Sequence, residues 1–248
     1  MSALLSLAAI DKFYGDTHAL RGINLDVQSG EVVVLLGPSG CGKSTLLRCI
    51  NGLEAIQGGT ITLQGHGVLG RDISWHAARQ HIGMVFQSYE LFNHLSVMDN
   101  ILLGPLKAQK RPRAEVEAQA DRLLQRIGLY ERKNAWPREL SGGQKQRIAI
   151  VRALCLNPQL LLLDEITAAL DPEMVREVLD VVLELAADGM TMLIVTHEMG
   201  FARKVADRIL FMDHGEIIEQ AEPETFFTAP ASARAQAFLN LMHYQEYT

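Results

Sequence analysis

Short apolar runs alternate along the chain with segments in which apolar residues recur every three or four positions. The apolar runs predict strands over residues 4–7, 23–27, 31–36, 60–63, 160–163 and 190–196. The helical spacing predicts helices over residues 114–127, 146–156, 174–187 and 200–206. Strands that alternate with helices are typical of an α/β fold with a mostly parallel sheet.

A glycine-rich loop follows the strand predicted over residues 31–36, and its residues are Gly37, Pro38, Ser39, Gly40, Cys41, Gly42, Lys43, Ser44 and Thr45. The loop fits the pattern G-x-x-x-x-G-K-[ST], in which backbone N–H groups point inward at phosphate oxygens. Lys43 adds a positive charge where a helix is predicted to begin, and Ser44 offers a hydroxyl group to Mg²⁺. A glycine-rich turn with an unrelated lysine is the less favoured alternative. The loop by itself indicates only that a nucleoside triphosphate binds.

The composition is that of a globular protein, since 48% of the 248 residues are apolar and 21% are charged. This length suits one α/β core with a smaller helical unit. No apolar run approaches the roughly 20 residues that span a bilayer, and residues 1–10 lack the features of a signal peptide. We therefore expect the chain to stay in the cytoplasm, with its three cysteines as free thiols.

The charge balance bears on possible partners. A net charge of −6 argues against a nucleic-acid partner and against direct binding to anionic lipid, because both depend on basic surface. The basic run over residues 107–113 is interpreted as a solvated loop, and a nucleic-acid patch is the less favoured alternative. Any membrane contact is therefore expected to go through a protein partner.

Two carboxylates, Asp164 and Glu165, follow a run of four leucines. A buried strand would hold Asp164 rigidly near the phosphate loop, where its carboxylate can bind Mg²⁺ directly or through water. Glu165 then points toward the attacking water and can act as the general base of hydrolysis. The alternative is an acidic strand end that meets solvent. His197, after the strand predicted over residues 190–196, suits a γ-phosphate sensor, although a lone histidine is more often structural.

The segment Leu140, Ser141, Gly142, Gly143, Gln144 stands just before the helix predicted over residues 146–156. A hydroxyl, backbone N–H groups and a helix N-terminus form a second anion site. With this segment, here called the signature, the whole chain resembles the ATP-binding subunit of an ABC transporter. The resemblance implies a phosphate-loop ATPase core with an antiparallel β part at its N-terminal side and an inserted α-helical subdomain. The implied boundaries are a core over about 1–88 and 157–230, a helical subdomain over about 89–156 and a C-terminal helix over about 231–244.

The resemblance also implies how the residues act. Two copies form a head-to-tail dimer, in which the signature of one closes over ATP held by the other. Tyr14 stacks on adenine, unless it is an ordinary strand-end tyrosine, and Gln87 contacts Mg²⁺ and the attacking water. Asp171 lies in a loop that crosses the dimer, and it can also cap the helix that follows. The implied catalytic residues are Glu165, His197 and Gln87, the metal ligands are Ser44, Gln87 and Asp164, and ATP is bound by Tyr14, residues 37–45, residues 141–144 and Asp171.

Two positions depart from the family pattern, and one adds a hypothesis of its own. Ile166 stands where the family usually has proline, which is expected to loosen Glu165 slightly, and Ala168 replaces a common serine. Neither departure removes a chemical group needed for hydrolysis. Cys41 lies inside the anion-binding loop, and we expect it to carry more thiolate than an ordinary cysteine.

Residues 47–54, 196–203 and 226–230 resemble those of bacterial importers for polar amino acids. The chain is then an ATP-hydrolysing subunit, peripheral on the cytoplasmic face of the inner membrane. Its implied partners are a second copy, permease subunits and, indirectly, an external solute-binding protein. Leu91, Phe92 and Leu95 suit a permease-docking site or, about equally, a buried cluster.

Other functions stay open. Related zwitterions such as opines or ectoine are alternative solutes. A soluble ABC ATPase that acts on ribosomes or DNA usually carries two cassettes or long coiled coils, and neither pattern occurs in this sequence. Glu165 argues against a regulator that binds nucleotide without turnover.

Overall fold

A computed structural model describes residues 3–245 of the chain. Its strands are β1 (Leu5–Tyr14), β2 (Thr17–Val27), β3 (Val32–Leu36), β4 (Gly58–Leu63), β5 (Gly67–Val68), β6 (Ile82–Val85), β7 (Leu160–Asp164), β8 (Met192–Val195), β9 (Arg208–Asp213) and β10 (Glu216–Ala221). Its α-helices are α1 (Lys43–Ile50), α2 (Trp75–Ala78), α3 (Val97–Lys107), α4 (Arg113–Arg126), α5 (Gly142–Leu154), α6 (Pro172–Ala187), α7 (Met199–Val205), α8 (Pro223–Thr228) and α9 (Ala233–Gln245). Short 3₁₀ turns cover Tyr130–Arg132 and Pro137–Glu139.

The described chain divides into two compact units. The first contains the residues up to Ala78 and from Gly189 onward, and the second contains Arg79–Asp188. The second unit thus includes β6, β7 and α6 as well as the helices α3 to α5. The domain boundaries near residues 88 and 156 that the resemblance implies stay a prediction.

Two sheets form the first unit. An antiparallel sheet has the strand order β2-β1-β4-β5, and in the other sheet β10, β9, β3 and β8 follow one another. β3 runs parallel to both β8 and β9, with Val34 opposite Ile194 and Ile209. Every residue of β3 and β8 is buried, as interior strands of a parallel sheet require. The predicted α/β fold, with antiparallel strands at its N-terminal side, is confirmed.

β1 and β2 extend well beyond the predicted runs over residues 4–7 and 23–27. The register of β1 against β2 shifts between Leu7 and Ile10, so buried positions stop alternating there. A bulge of this kind breaks the period-two pattern that identifies a strand in sequence. The hairpin of β9 and β10 was not predicted, since β10 exposes much of its surface.

The second unit pairs β6 with β7 in parallel, with Gly83 opposite Leu161. Helices α3, α4 and α5 enclose a cluster of buried apolar side chains, among them Ile101, Val116, Leu124, Ile148 and Val151. The helix predicted over residues 114–127 is confirmed as α4, which carries Val116 and Leu124 at helical spacing. The basic run becomes the end of α3, a short link and the start of α4.

Within residues 3–245, the structure contains no helix that is both long enough and apolar enough to cross a bilayer.

Candidate functional site

The phosphate loop joins the buried end of β3 to the start of α1. Gly37 has φ 150°, and a Cβ atom there would lie 2.1 Å from the carbonyl oxygen of Met212. Gly42 has φ 108°, and its Cβ atom would lie 2.9 Å from the carbonyl oxygen of Ala19. Both positions therefore exclude any side chain, which explains why the loop needs glycine there.

Lys43 is buried beneath this loop and begins α1. Its Nζ atom donates to the carbonyl oxygens of Gly37 at 2.8 Å and Pro38 at 3.0 Å. Among the described residues no side chain caps the N-terminus of α1, and the first turn of this helix carries no acidic residue. An ammonium group beside an uncapped helix N-terminus fits an anionic group such as a triphosphate.

The three cysteines are free, as expected, and all three are buried, but the thiolate hypothesis for Cys41 is wrong. Burial raises the pKa of the Cys41 thiol above its usual value, and the nearby Lys43 ammonium lowers it only in part. Burial penalises the thiolate because the charged form loses its hydration. The position of Cys41 inside the loop thus makes it less reactive, although its Sγ atom lies 3.9 Å from Lys43 Nζ.

His197 and Tyr14 also belong to the first unit. Val195 of β8 lies opposite Leu35 of β3, so the exposed His197 and the phosphate loop leave the sheet at the same edge. Tyr14 ends β1 and is 45% exposed. Both positions are compatible with contact to a nucleotide, and their roles stay predictions.

In the second unit, the parallel pair β6 and β7 brings three predicted site residues to one edge. Val85 lies opposite Leu163, and Gln87 follows the first strand as Asp164 and Glu165 follow the second. Asp164 is buried, whereas Gln87 is exposed. Parallel strands present their carboxyl ends at the same edge, which is where ligands of α/β proteins bind.

Glu165 has a left-handed backbone, with φ 48°. Its carbonyl oxygen accepts from Ala168 N at 3.1 Å, which closes a tight turn directly after β7. The side chain of Ile166, where the family usually has proline, is buried. A left-handed conformation costs a residue with a side chain about 1–3 kcal/mol and is common at functional positions.

The signature begins α5 with a capping box. Ser141 Oγ accepts from Gln144 N at 3.2 Å, and Gln144 Oε1 accepts from Ser141 N at 3.1 Å. The helix therefore starts at Gly142, earlier than the predicted residue 146. The low helix propensity of glycine suggested a later start, but the capping box stabilises the first turn in spite of it.

Asp171 and the signature meet through Met174. Asp171 caps α6 by accepting from Met174 N at 3.1 Å, so the helix-cap interpretation of Asp171 is confirmed. Gly143 N donates to Met174 Sδ at 3.2 Å, and a Cβ atom on Gly143 would lie 2.9 Å from Met174 Cβ. Gln146 Nε2 donates to the carbonyl oxygen of Phe86 at 3.1 Å and so links α5 to the residue before Gln87. Within this unit, Met174 contacts both Asp171 and the signature, and the sequence did not reveal this contact.

Among the predicted docking residues, one is exposed, as a docking site requires, and the others are partly buried, as against a core cluster. Phe92 is 43% exposed, whereas Leu91 packs against the buried cluster of α3, α4 and α5. Leu95 is half-buried. The segment therefore offers one exposed aromatic side chain on a partly buried base.

Comparison with known proteins identifies the class. A protein-family profile described as "ABC transporter" matches residues 20–168, which is more than half of the chain. The chain belongs to the ABC transporter family. The resemblance inferred from the phosphate loop and the signature is confirmed.

Individual relatives are ATP-binding proteins named for amino-acid transport. The chain is 52% identical over 238 residues to the glutamate transport ATP-binding protein GluA of Corynebacterium efficiens, with 95% of this chain and 98% of the relative covered. It is 52% identical over 231 residues to the glutamine transport ATP-binding protein GlnQ of Geobacillus stearothermophilus, with 93% and 96% covered. It is 49% identical over 236 residues to the arginine transport ATP-binding protein ArtM of Bacillus subtilis, with 95% and 98% covered.

Solved structures agree in fold. A dimeric, post-hydrolysis structure of the ATP-binding cassette MJ0796 with ADP and Pi has a TM-score of 0.78 and 32% identity, covering 88% of this chain and 98% of that one. CbiO1 of Clostridium perfringens, part of the ABC transporter complex cbiONQ, has a TM-score of 0.81 and 32% identity, covering 99% and 100%.

Proposed function

We propose that this chain is the ATP-binding and ATP-hydrolysing subunit of a bacterial ABC importer for polar amino acids. The observation that carries the proposal is the phosphate loop, where Lys43 and the start of α1 form a cationic cradle and the close approach of neighbouring backbone requires glycine at Gly37 and Gly42. Relatives named for glutamate, glutamine and arginine transport support the solute class. Opines and ectoine stay as alternative solutes.

Different residues bind different parts of the nucleotide. Tyr14 stacks on adenine, and the backbone of residues 37–45 with Lys43 holds the phosphates. Ser44, Gln87 and Asp164 supply hydroxyl, amide and carboxylate oxygens, the hard donors that Mg²⁺ prefers. Bound Mg²⁺ would neutralise charge on the phosphates.

Glu165 and His197 act on the reaction itself. The Glu165 carboxylate takes a proton from the attacking water as the water oxygen bonds to the γ-phosphorus, and the bond from that phosphorus to the β–γ bridging oxygen breaks. The products are ADP and inorganic phosphate. His197 hydrogen-bonds the γ-phosphate, and the turn after β7 holds the Glu165 backbone for its task.

Two copies are needed for a complete site. The signature and Asp171 of one copy serve the ATP held by the other, and closure of the dimer drives the permease. The dimeric relative with bound ADP and Pi supports this arrangement. The subunit then lies on the cytoplasmic face of the inner membrane, held by permease subunits that receive solute from an external binding protein.

The test is transport by the chain assembled with its permease in proteoliposomes. ATP hydrolysis and uptake of radiolabelled glutamate, glutamine or arginine are expected in wild type and lost in Lys43→Ala. The control Lys107→Ala changes an exposed residue near the end of α3 and should keep both activities. Hydrolysis without uptake of any of these solutes would contradict the solute class, and absence of ATP binding would contradict the function.

A further inference from the structure

Lys12, near the end of β1, is a buried cation beside Tyr14. It is only 5% exposed. Its Nζ atom lies 3.0 Å from Glu54 Oε2 and donates to the carbonyl oxygen of Ala55 at 2.9 Å. The same atom lies over the Tyr14 ring, 4.4 Å from the ring centroid. One face of the ring is therefore occupied by an ammonium group that the chain holds in place.

The Glu54 carboxylate belongs to the same group of side chains, because it forms an ion pair with Lys12. Hydrogen bonds from Lys12 and also from Tyr14 keep the pKa of the Glu54 carboxyl below its usual value. The Tyr14 ring is thus held on one face by Lys12, while 45% of the residue stays exposed. An aromatic ring that is held but exposed is preorganised for stacking, because little side-chain freedom remains to be lost on binding.

The backbone of this region is fixed as well. Gln57 Oε1 accepts from Phe13 N at 2.8 Å, and Gln57 N donates to the carbonyl oxygen of Asp11 at 2.8 Å. Glu54, Ala55 and Gln57 come shortly after α1, the helix that begins in the phosphate loop. The segment that holds Tyr14 is thus a direct continuation of the helix that holds Lys43.

We propose that Lys12 and Glu54 are positioning residues that hold the Tyr14 ring for adenine and fix its distance from the phosphate loop. The proposal rests on the proposed role of Tyr14 in adenine stacking. The ammonium draws π electrons toward its own face of the ring, so the opposite face becomes a better partner for an electron-rich purine.

The chain contains a matched control for this arrangement. In the second unit, Lys133 Nζ lies 4.2 Å from the centroid of the Tyr130 ring and 3.1 Å from Asp121 Oδ1. Here too a lysine lies over a tyrosine ring beside a carboxylate, although Lys133 also donates to the Tyr130 hydroxyl at 3.0 Å. Lys133, Tyr130 and Asp121 do not belong to the proposed nucleotide site. Lys133→Met therefore measures the general cost of losing a lysine from a tyrosine ring.

The test compares two ligands of the full chain, ATP and inorganic tripolyphosphate, by calorimetric titration. Lys12→Met and Glu54→Gln are each expected to weaken ATP binding about three- to tenfold and to leave tripolyphosphate binding unchanged. Tyr14→Ala is expected to weaken ATP binding about tenfold or more. Lys12→Met should add nothing in the Tyr14→Ala background, because residues that act through one ring are not additive. Lys133→Met should leave the ratio of the two affinities unchanged.

The outcomes separate the inference from the function on which it rests. If Lys12→Met and Glu54→Gln weakened the binding of ATP and tripolyphosphate equally, Lys12 and Glu54 would have only a structural role, and the inference would be overturned. The inference would also be overturned if Lys12→Met and Glu54→Gln left the ratio of ATP to tripolyphosphate affinity unchanged. If Tyr14→Ala still lowered that ratio, the proposed role of Tyr14 would stand without the inference. If Tyr14→Ala itself left this ratio unchanged, the proposed stacking of Tyr14 on adenine would be contradicted. Glu54→Gln keeps the shape of its side chain and decides the matter if Lys12→Met does not fold.

Discussion

At the scale of single residues, Glu165 combines a proposed chemical role with an unusual backbone. Its φ of 48° directs the chain into a tight turn immediately after the buried Asp164. Neighbouring carboxylates on one strand end can thus serve different tasks, one as a metal ligand and the other as a base. Glycine would be less strained at this backbone conformation, so the glutamate side chain is present in spite of a backbone cost.

Glu165→Gln is expected to bind ATP but to lower the hydrolysis rate roughly 10²-fold or more, because an amide cannot accept the proton from water. The variant should also accumulate as a closed dimer with ATP, which size-exclusion chromatography detects. Glu173→Gln, an exposed carboxylate in the first turn of α6, is the control and should hydrolyse ATP normally. Turnover of Glu165→Gln within about threefold of wild type would remove Glu165 from the mechanism.

Cys41 gives a prediction that depends on pH. Because burial raises the pKa of its thiol, its thiolate fraction at pH 7 is below that of an ordinary cysteine and increases only at more alkaline pH. Alkylation by iodoacetamide should therefore be slow at pH 7, accelerate through pH 9 and above, and be prevented by saturating Mg-ATP. Peptide mass spectrometry gives the rate at each cysteine.

Cys49 and Cys155 are internal controls for Cys41, since burial raises the pKa of each to about 11. Both should react more slowly than Cys41 in the folded chain. Labelling of Cys41 that is equally fast with and without ATP would show that the nucleotide does not cover it.

At the scale of elements, α5 connects the signature with residues 89–95, here called the docking segment because they include the candidate docking residues Leu91, Phe92 and Leu95. Its first turn holds Ser141 and Gln144, and its last turn carries Arg152. Arg152 donates to the carbonyl oxygens of Tyr89, at 3.2 Å, and Glu90. These two consecutive residues have left-handed backbones, with φ 60° and 51°. Burial lowers the pKa of Arg152, and the charge of Glu90 opposes that change.

Arg152→Met should loosen the docking segment, since two strained residues lose the donor on their carbonyl groups. Loss of charge-assisted hydrogen bonds of this kind costs about 2 kcal/mol. We expect amide hydrogen exchange over residues 89–95 to accelerate about tenfold or more and the thermal midpoint to fall. Arg122→Met, an exposed position of α4, is the control. Unchanged exchange in Arg152→Met would show that the segment keeps its conformation without the guanidinium.

At the scale of the whole molecule, the site residues belong to two compact units of one chain. The phosphate loop, Tyr14 and His197 lie in the first, and Gln87, the signature, Asp164, Glu165 and Asp171 lie in the second. The signature, a helix N-terminus with glycines and a capping serine, is the second proposed anion site. Two anion sites on one chain agree with a two-fold dimer in which each ATP is shared.

Mixing Lys43→Ala with Ser141→Asp tests this sharing. Aspartate keeps the cap of α5 but repels phosphate, so the variant should fold while losing its half of the site. Neither homodimer should hydrolyse ATP, whereas the heterodimer has one site with both groups intact. Partial activity that increases with protein concentration is expected.

Mass spectrometry under native conditions checks that heterodimers have formed in this mixture, and their ATP-induced closure is a second readout. Inactive heterodimers that also failed to close would refute the shared site. Full activity of either homodimer would show that one chain suffices.

Several features were determined by the sequence alone because neighbouring residues create them. The loop from Gly37 to Thr45, the buried strand before it and the carboxylates after four leucines need only local spacing to be recognised. The helix α4 follows from its apolar period. The family also follows from such contiguous segments.

Tertiary structure decided what depends on distant residues. Lys12, Tyr14 and Glu54 form one group only because the segment after α1 packs on the end of β1, and sequence spacing gives no signal of it. The pKa of Cys41 moves upward because burial outweighs a neighbouring charge, and burial is a property of the packed molecule. The bulges of β1 likewise follow from pairing with β2 and β4. Local chemistry therefore determined which groups the chain offers, whereas packing determined how each is held and charged.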